Sequence, residues 1–130
     1  MLAIDGKDIS ATRGDIVFFN VTAADDGIPH VFKQGDQLRI KIFEKKGCDN
    51  VVLQKDFPVL EDAEQVEVFL SEEDTKIGES INKPKDYWYE IELNTPSGPQ
   101  TIVGYDEDGP AVFRLLPEGG EGISKEGTEL

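Results

Sequence analysis

Apolar and polar side chains alternate with a period of two along several short stretches of the chain. Leu38, Ile40 and Ile42 alternate with Arg39 and Lys41, while Val66, Val68 and Leu70 alternate with Glu67 and Phe69. Such a period sends successive side chains to opposite faces of an extended backbone, so both stretches predict half-buried strands. Ile16 to Val21, rich in β-branched and aromatic residues, predicts another, and Asp25-Asp26-Gly27 followed by Pro29 marks the turn after it. Val51-Val52-Leu53 begins a further strand. Tyr87 to Leu93, Thr101 to Tyr105 and Ala111 to Leu116 follow, separated by Thr95-Pro96-Ser97-Gly98 and by Asp106-Glu107-Asp108-Gly109-Pro110. Short strands at this spacing, about seven to eight in all, predict an antiparallel all-β sandwich.

Two stretches depart from the pattern. Ser71-Glu72-Glu73-Asp74 offers a hydroxyl cap followed by early acids, the arrangement a helix N-terminus favours, and Ile77 is placed to turn inward. One or two helical turns are expected there, ended by Lys83-Pro84-Lys85 because the residue before proline avoids the α region. From Pro117 to Leu130 the chain has four glycines and four acids, with only Ile123 and Leu130 as large apolar residues. That is too little burial to offset the entropy of ordering, so residues 1–116 are expected to form the domain and residues 117–130 a flexible acidic tail.

Composition narrows the possible partners. The 130 residues carry a net charge of −14, and the half from Glu61 onward has 18 acids against 5 Lys and Arg. Such a surface repels phosphate backbones and anionic lipid, so nucleic acid and membrane are disfavoured, and a basic protein surface or a cation is favoured. Cys48 is the single cysteine, which excludes an internal disulfide and a cysteine-built zinc site. Met1 to Ser10 lacks the cationic start and apolar run of a secretory signal, and no apolar stretch approaches membrane-spanning length.

Candidate chemistry is sparse. His30 is the only histidine and lies in a turn-rich stretch, with Ser10, Thr22 and Cys48 as its nearest nucleophiles outside any catalytic spacing. No catalytic residue is nominated, no cofactor is implied, and the chain is expected not to be an enzyme. Cys48 reads as an incidental turn cysteine beside Lys45 and Lys46. Asp106 and Asp108, with Gly109 behind them, resemble the opening of a calcium loop, but strand residues follow where further oxygen ligands belong, so a solvated acidic turn is expected. In Arg13-Gly14-Asp15, the glycine supplies backbone freedom before a strand and its neighbours read as polar edge residues. Tyr87 and Tyr89 share a face with Ile91 and Leu93 and predict core packing. Trp88 shares the other face with Glu90 and Glu92 and is the candidate binding surface.

The ordered string Thr12-Arg13-Gly14-Asp15, Asp26-Gly27-Ile28-Pro29 and Gly35-Asp36-Gln37-Leu38-Arg39-Ile40-Lys41-Ile42 resembles the immunoglobulin-like N-terminal domain of phage baseplate upper proteins. The likeness continues through Val51 to Lys55, Val66 to Thr75, Tyr87 to Leu93 and Thr101-Ile102-Val103. The resemblance implies an immunoglobulin-like sandwich in a phage or prophage virion, made in the bacterial cytoplasm and acting as a tail or baseplate adaptor or decorating subunit. Other virion proteins are the implied partners, and self-association stays open. The alternative is a carbohydrate-binding or adhesin-type sandwich that stacks a glycan on Trp88.

Overall fold

Nearly every alternating stretch forms a strand, and two strands form where no alternation was visible. The computed structural model describes residues 2–47 and 49–118. Its strands of four or more residues are β1 (Leu2–Asp5), β2 (Asp8–Thr12), β3 (Val17–Val21), β6 (Gln37–Lys45), β7 (Asp49–Pro58), β8 (Val66–Leu70), β9 (Lys85–Thr95), β10 (Gly98–Val103) and β11 (Ala111–Leu116). A ribbon of β4 (Ala24–Asp25) and β5 (Ile28–Pro29) turns at Asp26 and Gly27, both with positive φ, as a two-residue hairpin loop requires. Among the described residues no helix is long and apolar enough to cross a membrane.

The strands make an all-β sandwich. Its large sheet runs β1-β2-β11-β9-β6-β7, with β10 beside the far half of β9, and its small sheet is β3-β8. Strands β11-β9-β6 lie in one layer and β3-β8 in the other. The expected all-antiparallel pairing needs one correction, because β2 lies parallel to β11. The hairpin β1-β2 closes on the chain's last described strand, and no tight turn links β2 to β11 to force them antiparallel.

The core lies where the inward rows meet. Leu38, Ile40 and Ile42 of β6 stand opposite Leu93, Ile91 and Tyr89 of β9, and Val17, Val21, Val68 and Leu70 of the small sheet close over them. Phe32 and Phe113 fill the ends, both fully buried. Each such side chain contributes about 1.5–3 kcal/mol by leaving water.

The expected helix after β8 is a second correction. Asp74 accepts from the Ser71 N–H at 2.8 Å, Ser71 Oγ accepts from the Asp74 N–H at 3.1 Å, and the Thr75 N–H reaches Ser71 O at 3.2 Å. This is one capped turn. It stops because Thr75 Oγ1 donates to Asp15 O and accepts from the Gly14 N–H, and because Gly78 takes a φ of +68°. Ile77 does turn inward, as its position suggested. The same docking changes the role of Arg13, which is buried and donates to Gly78 O at 3.1 Å instead of standing as a polar edge residue. Cys48 and the tail from Gly119 to Leu130 lie outside the described residues.

Candidate functional site

The outer face of the large sheet holds the residues expected to bind. Strand β9 alternates strictly, with Tyr87, Tyr89, Ile91 and Leu93 buried and Trp88, Glu90 and Glu92 half-buried on the outside. Trp88 stands opposite Phe43 on one side and Val112 on the other. A bulge in the β6-β7 pairing follows Ile42, and Phe43 next to it is buried although it lies on the outer face. The tryptophan is thus one member of an apolar row that crosses the sheet.

Charge on this face is arranged across strands. Arg39 Nε meets Asp56 Oδ1 at 2.6 Å, and Lys41 Nζ lies 3.7 Å from Glu92. Glu90 stands opposite Lys41 in the register. On the other side of Trp88, Arg114 Nε meets Asp86 at 2.7 Å. The hydrogen bond to Asp56 holds the Arg39 guanidinium more firmly protonated than usual, against the opposing effect of desolvation, and the bond to Asp86 does the same for Arg114. Cations of β6 and acids of β7 and β9 therefore satisfy one another, the pattern that stabilises a sheet face.

Asp106 meets a cation from within the protein. Lys7, in the β1-β2 turn, places Nζ 2.5 Å from Asp106 Oδ1, 2.5 Å from Gly109 O and 3.1 Å from Gly104 O. Its ammonium sits where a bound metal would gather oxygens. The Lys7 bond, aided by the Asp108 N–H, holds the Asp106 carboxyl below the ordinary carboxylate range. Asp108 contributes its backbone N–H to this loop at 2.8 Å. Tyr89 ties the same corner to the core by donating its hydroxyl to Lys7 O. Burial and then the nearby Asp8 push the Tyr89 phenol well above its usual value, so it stays protonated as a donor.

His30 follows the β4-β5 ribbon, with its N–H on Ala23 O at 2.9 Å and its ring edge-on to Phe32 at 5.2 Å between centroids. The hollow beside it is lined by Ala23, Ala24, Leu93, Gln100, Thr101 and Ile102.

The small sheet presents a different surface. Phe18 and Phe69 stand directly opposite each other on its outer face, 55% and 40% exposed, and Ile16 just before β3 is 56% exposed. Lys55 Nζ lies 5.2 Å from the Phe69 ring centroid and is fixed by Asp74 at 2.6 Å. Burial of Asp74 opposes its ionisation, yet Lys55 and the Ser71 N–H prevail and hold its carboxyl below the ordinary range. Sequence reading passed over this patch, although Phe69 shares the face of Glu67 by alternation alone. Ile16 to Val21 is apolar on both faces, so it gave no phase from which to read Phe18 as outward.

No protein-family model, curated protein or solved structure matches the chain.

Proposed function

We propose that the chain is a virion structural protein, an adaptor or decorating subunit of tail or baseplate type, that docks other virion proteins through the outer face of its small sheet. The cross-strand pair Phe18–Phe69 carries this reading. Paired exposed aromatics are costly to leave in water, and aromatic residues are the ones that anchor protein interfaces. The polar pair Asn20 and Glu67 borders the patch on one side, and Lys55 borders it at Phe69. The order of motifs that resembles baseplate upper proteins supplies the virion context, and the acidic surface suits basic faces on neighbouring subunits.

Mass spectrometry of purified particles from the lysogen that encodes the chain tests this reading. The chain is expected in fixed ratio to the tail proteins, and particles that lack it overturn the reading.

A further inference from the structure

The two layers of the sandwich differ in width. The large sheet is six strands across and the small sheet two. Among the described residues β3 pairs only with β8, so one of its edges carries unpaired N–H and C=O groups. Beyond that edge the large sheet continues. Leu2 and Ile4 of β1 stand opposite the buried Ala11 and Ile9, on the inward face, yet are 38% and 50% exposed because no described strand of the small sheet covers them. A groove lies in the gap, with Phe19, Asn20 and Val21 along one wall and Ile4, Ile9 and Val103 among the residues of its floor. Three successive residues of β3, from both of its faces, line the groove, so it lies along the strand's backbone edge.

Resting on the reading of the chain as a protein-binding subunit, we infer that this groove accepts one extended segment of a different protein, which adds beside β3 as a third strand of the small sheet. Natural edges are usually blocked by lysine, proline, a bulge or an inward charge. Val17-Phe18-Phe19-Asn20-Val21 has none of these. An added strand sits about 4.8 Å from β3, and its alternate side chains point down onto Leu2 and Ile4. A second copy of this chain does not fit the place. Its own β1-β2 hairpin projects past its own β3, so joining two β3 edges about a two-fold axis puts both hairpins into one layer. The guest is therefore a single strand with apolar residues at every second position. Lys7 is the single charged residue in the groove's lining, so the net charge of −14 of the chain as a whole favours Lys or Arg at the guest positions that lie outside the groove.

The test tethers such a strand to the full chain. The octapeptide Lys-Val-Thr-Val-Lys-Val-Thr-Lys is joined ahead of Met1 by a flexible Gly/Ser linker, which holds it at millimolar effective concentration. The expected results are a Tm rise of about 4 °C or more and slowed amide hydrogen exchange in Val17–Val21. A shuffled octapeptide of the same composition is expected to give neither, and the alternating one is expected to lose both when Ile4→Lys charges the groove floor. Equal Tm and exchange for alternating and shuffled tethers overturn the inference, as does full stabilisation in the Ile4→Lys chain. Neither result bears on the presence of the chain in particles, so the two readings fail separately.

Discussion

The outer faces of the two sheets handle water in opposite ways. On the large sheet, Arg39, Lys41 and Arg114 meet Asp56, Glu92 and Asp86 across neighbouring strands, and Trp88 lies half-buried beside Phe43. On the small sheet, Phe18 and Phe69 face outward with Asn20 and Glu67 as the next pair. The first face satisfies its own polar groups and gains little from a partner. The second leaves apolar area in water, the surface that the proposed docking would cover. Binding capacity thus follows from what a face leaves unmet, more than from the presence of a tryptophan beside acids.

Substitutions separate the two regions by size of effect. Ile40→Ala, under the centre of the large sheet, is expected to cost about 2–5 kcal/mol in denaturant unfolding, because a fully buried side chain leaves a cavity. Arg13→Met is expected to cost about 2 kcal/mol, since the carbonyls of Lys76 and Gly78 lose their donor at the corner that carries β3.

Asp74→Asn, which loosens the Lys55 brace under Phe69, is expected to cost about 1 kcal/mol at pH 7. The folded chain holds this carboxyl below its ordinary value of 3.8, so its stabilisation is complete above that value and is lost as pH falls through the lower folded value. The gap between wild type and variant in urea midpoint should therefore be constant from neutral pH down to about pH 5 and should close in the more acidic range. A gap that widens on acidification contradicts the assignment. Arg39→Gln is expected to cost under about 1 kcal/mol, and less as salt is added, because its pair with Asp56 is open to solvent.

Alternation placed β6 and β8, turn residues bounded β9 and β11, and the inward residues of β6 and β9 were named correctly, because one polar and one apolar face fix the phase of a strand. Alternation did not reveal β1 and β2, where Asp5, Gly6, Lys7 and Asp8 break the pattern around a turn. Without that hairpin the groove beside β3 was invisible. The helix expected at Ser71 rested on capping chemistry that is present, but the side chain of Thr75 joins the Arg13-Gly14-Asp15 corner, a contact sixty residues away in sequence that no local signal encodes. Likewise the acids beside Trp88 looked available in one strand and are matched by cations only once the register sets β6 against β9.

Retention in purified particles compares the two faces at one stroke, with Phe18→Thr/Phe69→Thr against Trp88→Thr, each first shown to be folded by its thermal transition. The double variant on the small sheet is expected to fall from the particles by tenfold or more, while the Trp88 variant stays at wild-type copy number. Loss of the Trp88 variant with retention of the small-sheet double variant contradicts the assignment of docking to Phe18 and Phe69.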